Sequence, residues 1–216
     1  MIKIDLQFFG GRGASSGGRG GGGGGLNPAD IKSTTSLISE REHEQAAVDE
    51  VLGVSKDFLD EFGATADDWV LAQIDPKAGA MAYADHFGTI GINQAYFGGE
   101  KMNKAYADCV TSGFHPSNGN KTALQAVTAH ELGHRLNGVI ADKTGEDFYK
   151  TSTKIVNEAR KSTKHRGVVQ MASKISGYAK TSNAEAIAEA VADYYCNGKK
   201  AKSESKAIVN VLKSYL

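Results

Sequence analysis

The chain has 216 residues, 40% of them hydrophobic and 23% charged, the composition of an ordinary globular protein. No run approaches the roughly 20 apolar residues of a membrane-spanning helix; Cys109 and Cys196 form no metal-ligand pattern and read as thiols of a reducing compartment, with a mutual disulfide as the alternative. Net charge is zero but split, since residues 1–142 carry 11 Lys and Arg against 18 Asp and Glu, and residues 143–216 carry 14 against 7. The split reads as two surfaces that attract each other within one fold. The lysines are scattered and no aromatic stacking motif accompanies them, so a nucleic-acid partner is not expected.

In chain order, residues 1–9 alternate apolar Ile2, Ile4, Leu6 and Phe8 with polar neighbours, and residues 10–25 are rich in Gly, Ser and Arg. The second composition is that of a flexible linker. Residues 1–26 therefore read as a tail, either a docking segment on a leash or plain disorder, and residues 27–216 as one domain. The opening apolar run is too short and interrupted for a secretory signal. That points to synthesis and initial residence in the cytoplasm, with later packaging or export by another route open.

Asn27-Pro28 suits a helix start, so a helix is expected over 28–52 with Gly53 as its stop, then a short one over 54–62 ending at Gly63. From Trp69 to Phe97 the apolar residues sit among Gly, Asp and Asn, a pattern of short strands and turns. Within it Gly88–Asn93 reads as a strand with little bulk on one side. It is either an ordinary sheet strand or an edge along which an extended peptide could pair. Residues 98–120 look turn-rich. Leu124, Val127, Leu132 and Leu136 then recur at helical intervals over about Lys121–Val139. Residues 146–165, 167–176, 183–196 and 203–215 also read as helices. Helices, then strands, then helices make an α+β layout.

The helix at 121–139 carries His130-Glu131-Leu132-Gly133-His134, an HExxH motif. Positions i and i+4 share one helical face, so two imidazoles can converge on one ion. Glu131 is offset sideways, out of direct ligation but within reach of a water at the metal. A zinc site needs a third protein ligand, and several residues compete. Asn137 and Ile140 stand where a metzincin needs Gly and His. Asp147 suits an aspartate-type site and Glu158 a thermolysin-type one, but neither has its full flanking pattern. Glu185 is favoured: with Glu189 it occupies i and i+4 on a helix rich in small residues, able to lie close to the HExxH helix. Glu185 would then bind the metal while Glu189 accepts the second N–H of a ligand histidine. His115 reads as a loop histidine that at most lines the cleft, and His43, His86 and His165 carry no signal.

Gly113-Phe114-His115-Pro116, the HExxH segment, Ser176-Gly177-Tyr178-Ala179 and Glu185-Ala186-Ile187-Ala188-Glu189 together resemble the catalytic domain of anthrax lethal factor-like metallopeptidases. In that family a Tyr precedes the ligand Glu by seven residues and a second Glu follows it by four, as Tyr178 and Glu189 do here. Ala186 and Ile187 depart from the bulkier aromatic pair usual after that ligand. The resemblance implies a zincin-like metallopeptidase domain of α+β class: a small sheet, an active-site helix and a helical C-terminal part. It also implies Zn2+ held by His130, His134 and Glu185, Glu131 as general base, and Tyr178 as donor to the oxyanion. The expected partner is a protein or peptide substrate. The first residues resemble the starts of head-associated proteins of phages and prophages of Gram-positive bacteria. That implies a capsid or export partner for residues 1–25. Two alternatives follow: a structural or cargo protein with a retained zinc site, or a toxin-like effector.

Overall fold

A computed structural model describes residues 31–33, 42–72, 80–85, 88–96 and 100–216. The readings for the tail at 1–26 and for a helix starting at Pro28 lie outside these residues. Residues 31–33, expected to be helical, are instead a strand, β1 (Ile31–Ser33).

The first helix, α1 (Glu42–Phe62), passes without a break through Gly53, where a stop was expected. Val51, Val54, Phe58 and Phe62 are buried at helical spacing on both sides of it. Their shared burial outweighs the roughly 1 kcal/mol that glycine costs a helix relative to alanine. Gly53 itself lies on the exposed face, with nothing near the place a Cβ would occupy.

A small mixed sheet follows, from β2 (Asp68–Ala72), β3 (Ala82–Ala84) and β4 (Thr89–Asn93) together with β1, in the order β1-β2-β4-β3. β1 pairs antiparallel with β2, β2 parallel with β4, and β4 antiparallel with β3. The low-bulk strand at 88–93 is therefore interior, which corrects its reading as a candidate edge. The lack of bulk has a packing cause: a Cβ at Gly91 would collide with the ring of Tyr83, its partner across the ladder. Trp69, Val70 and Leu71 are consecutive and all buried, so β2 is covered on both faces, as strands with parallel neighbours usually are.

Residues expected to be turn-rich hold α2 (Glu100–Thr111), which buries Met102, Tyr106 and Cys109 along one stripe. The next helix, α3 (Ala123–Thr144), outruns its expected end. It opens on a capping box between Thr122 and Gln125 and closes on Gly145 at φ 66°. A left-handed residue at that position is the usual helix stop, and glycine takes it without a Cβ penalty. Four further helices complete the chain: α4 (Phe148–Lys161), α5 (Val168–Ile175), α6 (Asn183–Asn197) and α7 (Ser203–Tyr215). They make the protein a mixed α+β molecule, predominantly helical. Among them α6 is central, with Ala184 through Asp193 all buried and neighbours on α3, α4, α5 and α7.

The two oppositely charged halves meet where α1 faces α6 and α7. Lys213 pairs with Glu61, Tyr194 donates to Glu61 at 3.2 Å, and Tyr195 donates to Asp57 at 2.8 Å. Cys109 and Cys196 are both free thiols. No helix among the described residues is long and apolar enough to cross a membrane.

Replacing Gly53 with alanine should raise stability by roughly 0.5–1 kcal/mol, because it removes unfolded-state freedom without a clash. Urea unfolding followed by circular dichroism should show a higher midpoint at unchanged slope.

Candidate metal centre

Two helices and two loops build the site. On α3, His130 and His134 stand one turn apart and are buried, 4% and 2% exposed, while Leu132 and Leu136 anchor the helix in the core. Gly133, between the histidines, lets α6 approach: a Cβ there would lie 2.7 Å from Ala188 Cα and 3.2 Å from Val191 Cβ. The Ser182 side chain accepts from Glu185 N at 3.1 Å and starts α6, so Glu185 falls in its first turn. Glu189 follows one turn on along the same face. The loop before α3 is stitched to the loop before α6 by Gly177 N donating to Gly113 O (2.8 Å) and Tyr178 N to Phe114 O (3.0 Å).

Glu185 Oε2 lies 3.2 Å from His130 Nε2 and 3.4 Å from His134 Nε2. One ligand atom from each of these residues fits within 4.8 Å of the others, so the buried His130–His134–Glu185 group could hold a metal ion. The donor set fits a cation on two counts. His134 Nε2 and Glu185 Oε2 are buried with no hydrogen-bond partner of good geometry, although burying such atoms unsatisfied is costly. Two imidazole nitrogens and one carboxylate oxygen also form a ligand set suited to zinc.

His130 is oriented from behind. Its Nδ1 lies 2.8 Å from Glu189 Oε1. An ionised carboxylate only accepts, so the shared proton sits on Nδ1 and Nε2 is the nitrogen turned towards Glu185. Ser176 donates to the other Glu189 oxygen at 2.6 Å and accepts from Ala179 N at 2.9 Å. The Tyr178 ring stacks on that of His130, centroids 5.9 Å apart and planes 23° from parallel.

The charges follow from this packing. Burial pushes the Glu131 carboxyl up to about 7, against the pull of His130 and His134. Burial works the same way on Glu189, but His115 and His130 outweigh it and hold its carboxyl down at about 2. His134 and His130 likewise overcome burial at Glu185 and keep it well below the usual carboxylate range. Burial, then the carboxylates of Glu185, Glu131 and Glu189, raise the Tyr178 phenol far above its ordinary value, so it is a neutral O–H. His130 is raised too: desolvation opposes its charge, and Glu185 and Glu189 overcome it, so metal binding would displace a proton from Nε2.

The structure brings together His130, Glu131, His134, Tyr178, Glu185 and Glu189. The rival ligands lie elsewhere. Asp147 caps α4, accepting from the backbone of Tyr149 and Lys150, and Glu158 accepts from the Tyr215 hydroxyl at 2.9 Å. Sequence reasoning underrated His115, whose Nδ1 lies 2.9 Å from Glu189 Oε1, and passed over Ser176. The signal that could have found His115 was its place in Gly113-Phe114-His115-Pro116, ahead of a metal motif. Met81, Ala82, Tyr106 and Val127 line a small cleft with His115, His130, Glu131 and Glu189. Compared with family models, with curated proteins and with solved structures, the chain matches none.

Gly133→Ala should cost about 1–3 kcal/mol through overpacking against Ala188, read by urea unfolding, and should weaken metal binding by pushing α3 from α6. The second expectation concerns acid. The folded Glu189 value of about 2 lies below its ordinary 4.5, so its contribution is whole above about pH 4.5 and is lost as pH falls towards 2. With a chelator present, Glu189→Gln should flatten the fall in stability across that window relative to wild type.

Proposed function

We propose that the chain is a zinc-dependent endopeptidase of zincin type, with His130, His134 and Glu185 as metal ligands. The observation that carries this reading is the convergence of those three buried side chains from two helices, with a fourth buried side chain, the acid Glu131, beside them. The resemblance of these segments to lethal factor-like metallopeptidases supports it. Bound zinc would supply Lewis acidity, polarising an amide carbonyl and making water acidic enough to attack at neutral pH.

The side chains divide the remaining work. Glu131, with its carboxyl near 7, is matched to accept a proton from the attacking water and return it to the leaving amine. The Tyr178 phenol, held neutral, donates to the carbonyl oxygen as negative charge builds there. Glu189 and Ser176 keep His130 in the tautomer that leaves Nε2 available. Substrate access is suggested by the sheet: β3, not β4, is its outer strand on this side, and Met81 and Ala82 line the cleft with His130 and Glu131. An extended peptide adding along β3 would pass beside those residues.

Metal analysis of purified variants beside cleavage of a peptide library tests the assignment. Glu131→Ala should keep one zinc per chain and lose roughly 10²–10⁴-fold in turnover. Glu185→Ala should lose the zinc, and Glu158→Ala should keep both metal and activity. Wild-type protein with no stoichiometric zinc would sink the proposal, and loss of metal in Glu158→Ala alone would move the third ligand.

A further inference from the structure

The proposed chemistry leaves His115 without a task. It belongs to no helix or strand, yet it is as buried as His130. Its ring is fixed by contacts that do not involve Glu189. It stacks on Tyr106, centroids 5.4 Å apart and planes 5° from parallel, and the Tyr106 hydroxyl donates to Pro116 O at 3.2 Å. Phe114 N and His115 N both donate to Cys109 O, at 2.8 and 3.3 Å. The end of α2 thus grips this loop from one side, and the Gly113–Gly177 and Phe114–Tyr178 backbone bonds grip it from the other.

His115 meets the site through Nδ1, 2.9 Å from Glu189 Oε1. That oxygen also takes the Nδ1 proton of His130, while Ser176 holds its twin. Glu189 is therefore set by three donors arriving from three segments, and only one of them is the histidine it must orient. We infer that His115 is a positioning residue of the metal centre: it locks the Glu189 carboxylate so that Glu189 can hold His130 Nε2 towards the ion. This rests on the metal-site reading above. A ligand histidine's carboxylate partner is itself effective only when held in place. A long glutamate with one donor removed can turn on its own rotamers, and His130 turns with it.

The competing role for His115 is packing, as a flat ring between Tyr106 and Tyr178, whose ring lies 5.6 Å away edge to face. Two substitutions separate the roles. His115→Asn keeps an N–H near the position of Nδ1 and loses the ring; His115→Phe keeps a ring for Tyr106 and loses the donor. On the full-length protein, zinc affinity is measured by chelator competition, and the ligand field by the visible spectrum of the cobalt(II) form. His115→Phe should lose roughly 10–100-fold in zinc affinity with an altered cobalt spectrum, while His115→Asn stays within a few-fold of wild type. In a Glu189→Gln background, His115→Phe should cost no further affinity. Wild-type affinity in His115→Phe, or an equal loss in His115→Asn, overturns the inference. Histidine NMR of the wild-type zinc form needs no variant to fold: both His115 and His130 should carry their proton on Nδ1, and an Nε2–H tautomer at His115 also overturns it. Wild type that binds no metal overturns the functional proposal itself, and this inference with it.

Discussion

The contact between Gly133 and Ala188 sets the spacing of α3 and α6, and the rest of the site inherits that spacing. With a Cβ-sized group 2.7 Å from Ala188 Cα, the helices would have to part. Glu185 and Glu189 would then retreat from the histidines they now touch at 2.8 to 3.4 Å. The alanines of α6 serve the same end, since a helix buried over Ala184 to Asp193 can be enclosed by four others only if its own side chains are short. Small residues here are a condition for bringing large polar ones together.

The buried polar cluster that results would be costly in isolation, because charges removed from water must be matched by partners. Each carboxylate meets this demand differently. Glu189 is matched by two imidazoles and a hydroxyl and stays ionised. Glu185 is matched by the Nε2 atoms of His130 and His134 and by the Tyr178 phenol. Glu131 keeps an oxygen with no hydrogen-bond partner, and its carboxyl rises accordingly. One buried site thus holds a permanent anion on α6 and, on α3, a group poised to gain or lose a proton. The difference lies in the partners each side chain meets, since all three are deeply buried.

How much of this could be read from the sequence varied with how local the cause was. The HExxH helix was legible because one amphipathic segment contains both its periodicity and its motif. Glu185 and Glu189 were legible as a pair because their i, i+4 spacing and alanine-rich setting are also local. α1 was read as two helices because Gly53 is a local stop signal, whereas Val51, Val54, Phe58 and Phe62 override it through packing. α2 was read as turns because glycine and polar residues surround Met102, Tyr106 and Cys109, and only the folded chain shows those three sharing a buried stripe. The low bulk of Gly88–Asn93 left an edge and an ordinary strand equally open, because the cause at Gly91 is Tyr83 across the ladder. His115 was underrated for the same reason: its partner lies 74 residues away, and no spacing rule connects them.

That separation in sequence has a consequence in time. The histidines of α3 are made and can become helical long before Glu185 and Glu189 exist to meet them. The His115 loop, held early by Cys109 on one side, gains its second grip when Gly177 and Tyr178 dock on it. A chain folding from its N-terminus carries the HExxH helix as an inert segment until α6 slides against Gly133. In that order of assembly the clustered histidines and carboxylates and the finished fold arrive together.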